Sequence, residues 1–151
     1  MLNRVSAMVA GIAVGATMFL GGGVASAAVP SSGTCSGVVG VDGFGFSPAV
    51  VAPGESSAAT LTATNCTALP QTVSETWAGR YSSSTGTGVP AGCPIIDPLL
   101  RGVTFAPHAS AATSTTYLAL PGCTADRLTV TVTLSQGGVQ LGRVSADLLI
   151  R

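Results

Sequence analysis

The sequence predicts an all-β domain, a sandwich or barrel, in the part of the chain that follows residue 28. Apolar residues there alternate with Thr and Ser at period two, as half-buried strands require, and turn residues recur about every 8–12 positions. No apolar stripe of helical spacing and useful length competes with that pattern. A third observation bounds the setting. Cys35, Cys66, Cys93 and Cys123 lie roughly thirty residues apart behind an N-terminal segment that reads as an export signal, which points to an oxidising compartment.

That N-terminal segment has Arg4 beside the amino terminus, an apolar run from Val5 to Leu20, and the small residues Ala25-Ser26-Ala27-Ala28. A basic start, a short apolar middle and an A-x-A exit make up a secretory signal peptide. Residues 1–27 are therefore expected to be removed, with the cut after Ala27 or Ala28. The apolar run contains glycines and falls short of the about 20 residues a bilayer core needs. Ser32-Gly33-Thr34 before Cys35 lacks the leucine of a lipobox, and the C-terminal Asp147-Leu148-Leu149-Ile150-Arg151 carries no sorting motif. The expected product is one secreted domain, residues 28–151, with no membrane insertion after signal cleavage. It holds five arginines, six acids and no lysine, a formal charge of −1. Such a charge-poor chain offers no electrostatic footprint for nucleic acid or an anionic membrane.

The elements follow in order. Residues 38–52 read as an interrupted strand that ends in the turn Val51-Ala52-Pro53-Gly54-Glu55-Ser56. Residues 57–65 set Ala59, Leu61 and Ala63 against Thr60, Thr62 and Thr64. In residues 71–79, Val73 and Trp77 share a face, with Glu75 between them as the polar exception. Ser82 to Pro94 has almost no apolar side chain and reads as a long exposed loop. Ile95 to Leu100, broken by Pro98, is at best a short edge strand, within a strand piece expected over residues 95–105. The turn Phe105-Ala106-Pro107-His108-Ala109-Ser110 leads into a strand over 110–120. Residues 127–135 give the clearest strand, with Leu128, Val130, Val132 and Leu134 on one face. Gly137-Gly138 supplies a hairpin turn into residues 138–150. In that last strand the apolar parity switches between Leu141 and Val144, so a β-bulge is expected near Gly142-Arg143.

About seven strands with Pro-x-x-Ser turns before the second and fifth resemble bacterial secreted immunoglobulin-like or fibronectin-III-like sandwiches. Val51-x-Pro53-Gly54-Glu55-Ser56, followed by an alternating strand ending in Asn65, is similar to adhesion-related modules of the CARDB type. The use of Arg to the exclusion of Lys resembles secreted proteins of GC-rich actinobacteria. The resemblance implies a single immunoglobulin-like β-sandwich, although strand F has no Tyr and no cysteine lies mid-strand. On that up-and-down topology Cys35 and Cys66 fall at one end of the sandwich, and Cys93 and Cys123 at the other. Strands of six to eight residues separate the ends by roughly 20–27 Å, whereas a disulfide needs Cα atoms within about 7 Å. Only the pairings Cys35–Cys66 and Cys93–Cys123 satisfy both. A four-thiolate metal site is disfavoured, because no C-x-x-C-like pair occurs.

Residues with chemistry are few. His108, the single histidine, lies in a turn without a G-x-S-x-G or H-E-x-x-H partner. Glu75 and Asp97 lack any feature that would bring them together as a carboxylate pair, and are expected to be surface charges. Among Trp77, Tyr81 and Tyr117, Tyr81 beside the polar loop is the candidate for an exposed aromatic, while Trp77 is expected in the core. The expectation is a non-enzymatic binding or structural module of the extracellular space or cell envelope, without cofactor or metal, its partner an extracellular protein or glycan. Tyr81, Pro94, Ile95 and Ile96 are the candidate binding-loop residues. An alternative rests on Cys93-Pro94-Ile95-Ile96-Asp97-Pro98, which resembles the reactive loop of secreted subtilisin-inhibitor proteins and would place Ile95 or Ile96 in a protease pocket. A small-ligand carrier, similar to actinomycete chromoprotein apoproteins, is a third expectation.

Overall fold

The computed structural model describes residues 35–86 and 88–151; the signal peptide expected over residues 1–27 lies outside them. Eight strands form: β1 (Val39–Ser47), β2 (Val50–Val51), β3 (Ser56–Asn65), β4 (Gln71–Ser82), β5 (Leu99–Phe105), β6 (Ser110–Leu118), β7 (Arg127–Gln136) and β8 (Val139–Ile150). They build two sheets, a three-stranded one in the order β1-β3-β6 and a five-stranded one in the order β2-β8-β7-β4-β5. No helix occurs among the described residues.

The period-two pattern places the core. Along β3 and β7 every second residue is buried, because each lies between two partners and one face meets the opposite sheet. Leu61, Val73, Trp77, Phe105, Leu128, Val130, Val132 and Leu148 fill the space between the sheets. Phe44 stands edge-on to Trp77 and Phe46 edge-on to Tyr117, with centroids 5.5 and 5.9 Å apart.

The expected first strand is two strands, so the count is eight rather than about seven. Pro48 has no N–H to donate to a ladder, and the chain leaves the three-stranded sheet after Ser47. Val50 and Val51 then pair in parallel with Leu149 and Ile150 at the edge of the other sheet. The parity switch in β8 is resolved by a bulge at Leu141, just ahead of the expected position: Leu134 pairs with Gly142 and Ser135 with Gln140. A second bulge sits at Asp42, between the pairs Val41–Ala63 and Gly43–Thr62. It turns Val39 and Val41, then Phe44 and Phe46, to the same face, and Thr64 Oγ1 donates to Asp42 at 2.6 Å. β5 starts only at Leu99, since Pro94 and Pro98 deny donors to the preceding residues.

Both disulfides are present, Cys35–Cys66 with Cα atoms 5.5 Å apart and Cys93–Cys123 at 4.4 Å. This is the pairing that alternating strand direction requires. Two disulfides fit an oxidising, extracellular setting.

Candidate functional site

Glu75 departs from expectation. It is not a surface charge but is 1% exposed. β4 pairs with β5 on one side and β7 on the other, and strict alternation puts Glu75 on the same inward face as Val73 and Trp77. Its carboxylate accepts from Trp77 Nε1 at 2.8 Å and from Thr113 Oγ1 at 2.9 Å, with Arg101 Nε at 3.8 Å. The Arg101 guanidinium lies 4.8 Å from the centre of the Trp77 ring, donates to the Ser114 carbonyl at 3.2 Å, and reaches Thr115 Oγ1. β5 and β6 are the edge strands of different sheets, so this knot ties the edge of one sheet to the edge of the other. A carboxylate so enclosed has its acceptor capacity taken up by neighbours from three strands.

Tyr81 is also not where the sequence suggested. It is 8% exposed, and its hydroxyl donates to the Leu118 carbonyl at 3.1 Å, which links β4 to β6. Burial raises the pKa of its phenol above the ordinary 10.0. Tyr117 is raised as well, chiefly by burial, with Arg101 pulling the other way. Trp77 lies in the core as expected, so the three aromatics form no exposed platform. His108 is exposed in the β5–β6 turn, and Asp97 is exposed far along the chain from buried Glu75.

The remaining candidates, Pro94, Ile95 and Ile96, do come together. They line a hollow of about 150 Å³ with Tyr81, Val89 and Arg80, where the 83–98 loop meets β4. The loop is irregular but held at several points. Ser84 N–H and Oγ donate to Asp126, the former at 2.9 Å, and hold that carboxyl below its ordinary pKa of 3.8. Thr124 N–H donates to the Ala91 carbonyl at 3.0 Å beside the Cys93–Cys123 bridge. Gly92 has a φ of 70°, and a Cβ there would strike the Gly122 carbonyl, so only glycine fits. Ile96 turns inward over Gly79, so closely that a Cβ on Gly79 would lie 2.8 Å from Ile96 Cδ1. Ile95, between the anchored Cys93 and Ile96, is left 91% exposed, and Val89 is 83% exposed. Prolines on both sides hold Cys93 and Asp97 in extended conformations. The arrangement offers Ile95 to solvent on a segment held at both sides, with Val89 exposed beside it. Among the described residues no cluster of three or more His, Cys, Asp or Glu forms that would hold a metal ion.

The anchoring residues Arg101, Thr113, Ser84 and Asp126 were not singled out in the sequence. Only Glu75 carried a readable signal, its place midway between two inward-facing apolar residues of one strand.

No protein-family model matches the chain, and no curated protein matches it. Among solved structures it is similar to the alkylpurine DNA glycosylase AlkC of Pseudomonas fluorescens, bound to DNA containing an abasic site analog. The identity is 21% and the TM-score 0.53, over 77% of this chain and 31% of that one. It is also similar to the sporulation control protein Spo0M of Bacillus subtilis, at 15% identity and a TM-score of 0.49, over 77% of this chain and 50% of that one. The chain thus spans about a third of the first protein and half of the second. At such identities the likeness to the glycosylase concerns the fold alone.

Proposed function

We propose that this protein is a secreted, non-enzymatic recognition module of the extracellular space or cell envelope, built on an immunoglobulin-like sandwich. The strand order supports the architecture: β8, β7 and β4 adjoin as strands G, F and C do in such sandwiches, with β5 added at the edge. The observation that carries the function is the 91% exposure of Ile95 on a segment otherwise tied down. An exposed isoleucine on a mobile loop would lose much of its binding energy to ordering. One held in place has already met that cost, and makes a rigid apolar anchor for a pocket on a protein partner.

The test compares the wild-type protein with Ile95→Ser, each immobilised and exposed to culture medium and cell-wall extract. The expected result is a protein retained by the wild type and lost with the variant, at unchanged melting temperature. Equal capture by both would remove Ile95 as the anchor. A second reading, protease inhibition, is favoured by the same geometry, since an extended, disulfide-tethered segment presenting a single side chain is what a protease cleft accepts. Ile95 is the better candidate of the two isoleucines for that pocket, being exposed where Ile96 packs on Gly79. Slowing of elastase-like or subtilisin-like proteases by the wild type but not by Ile95→Ser would select this reading.

A further inference from the structure

The described chain is close to neutral, and although Asp126 adjoins Arg127 at the start of β7, three of its five arginines share one face. Arg80 on β4, Arg127 on β7 and Arg143 on β8 all project from the outer face of the five-stranded sheet. Asp42, Glu55 and Asp97 lie elsewhere, in the β1 bulge, the β2–β3 turn and the 83–98 loop. Asp147 stands on the arginine face, paired with Arg127 at 3.1 Å through one oxygen and accepting from Thr129 Oγ1 at 2.6 Å through the other. Arg80 and Arg143 have no ion pair among the described residues. Both border a shallow groove of about 440 Å³ lined by Thr129, Thr131 and Thr133 of β7 and by Thr76, Ala78, Gly79 and Ser82 of β4, with the Thr131 hydroxyl sharing a hydrogen bond with Ser145 at 2.8 Å.

We propose that this groove binds an anionic polysaccharide. Threonine and serine hydroxyls both donate and accept, as sugar hydroxyls demand, and a guanidinium fork matches a carboxylate or a sulfate. Pairing places Arg80 beside Thr129, while Arg143 lies across from Thr133 on the other flank of β7. Two strand spacings across and four residues along, their backbone positions stand roughly 16 Å apart. One sugar ring does not span that gap, so the ligand is a polymer carrying repeated charges. Neutral sugars are usually gripped by stacking on an aromatic, and Trp77, Tyr81 and Tyr117 are buried. Selection therefore falls to charge. The site is separate from the Ile95 anchor: Arg80 borders both the groove and the hollow beside the loop, whereas Arg143 borders the groove without lining that hollow.

Affinity electrophoresis tests the proposal, with the purified protein run through gels containing polygalacturonate, dextran sulfate or neutral dextran. Retardation is expected with one or both polyanions, the two gels separating carboxylate from sulfate recognition, and it is expected to vanish near 1 M salt, where the screening length falls to about 3 Å. Neutral dextran is expected to have no effect. Arg143→Gln should weaken binding about fivefold, the most an exposed charge pair commonly contributes. Its melting temperature should not change, since Arg143 has no ion-pair partner to lose. Asp147→Asn should tighten binding, and Ile95→Ser should leave it intact. Unchanged retardation of Arg143→Gln, equal retardation by neutral dextran, equal affinity for duplex DNA, or loss of binding in Ile95→Ser would each overturn it.

Discussion

The two disulfides close loops of almost the same size, with sequence separations of 31 and 30, yet they do different work. In the chain-entropy picture each stabilises by about 3–4 kcal/mol, because each removes the same freedom from the unfolded chain. Their native surroundings differ. Cys35–Cys66 lies against Gly40 at the end of the β1–β3 ladder, where Cys66 N–H already donates to the Val38 carbonyl. It repeats a connection that the sheet makes by itself. Cys93–Cys123 joins two irregular segments, the 83–98 loop and the β6–β7 connection, that share no ladder. Equal crosslinks thus have unequal local consequences: one reinforces regular structure, while the other substitutes for it and holds the proposed anchor in place.

Whether the poles or the interior dominate stability is tested first. Glu75→Ala strips partners from Trp77, Thr113 and Arg101 at once, and should cost about 3–5 kcal/mol, the range for breaking a buried ion pair. Urea denaturation measures it. A loss smaller than that of either disulfide variant would mean that the crosslinks, not the knot between the sheets, hold the domain together. Next come the double variants Cys35→Ala/Cys66→Ala and Cys93→Ala/Cys123→Ala. Each should lose about 3–4 kcal/mol, but only the second should become open to proteolysis within 83–98 and lose Ile95-dependent capture. Matching proteolysis patterns would erase the distinction drawn here.

The glycines beside the cysteines sharpen the contrast at a smaller scale. Gly37 and Gly92 both have positive φ, 78° and 70°, but a Cβ on Gly37 meets nothing within 4 Å, while one on Gly92 strikes the Gly122 carbonyl. Gly37→Ala should cost about 1 kcal/mol from the strained backbone alone, and Gly92→Ala 1–3 kcal/mol more, by thermal unfolding. The smallest effect is one of pH. Asp126 has a depressed pKa through its bonds from Ser84, so its contribution is complete above the ordinary carboxylate value of 3.8 and is lost as pH falls through the lower folded value. The protection of the Ser84 amide against exchange, relative to its intrinsic rate at each pH, should therefore fall in acid, with no counterpart at the Cys35 pole. Asp126→Asn should abolish the pH dependence.

Much of the architecture was legible because it depends on parity. Leu128, Val130, Val132 and Leu134 announce β7 and its inward face, and the broken parity of β8 announces a bulge within about a residue of its place. The same rule, applied without exception to charge, would have put Glu75 inside. It was read as a surface residue because burying a carboxylate needs partners, and those partners, Thr113 and Arg101, come from strands distant in sequence. Asp42 is the parallel case in β1, where the apolar positions change parity between Val41 and Phe44 as openly as they do in β8.

By itself the chain determined its layers, its strands and its sulfur pairing, since alternation, turn residues and strand length act locally and admit few solutions. Which side chains meet between the two sheets was decided only on folding. Tyr81 went inward to Leu118, Ile95 stayed outside while Ile96 found Gly79, and three arginines from three strands gathered on one face. Those outcomes depend on register between strands far apart in the chain, and register is a property of the assembled sheets rather than of any single segment.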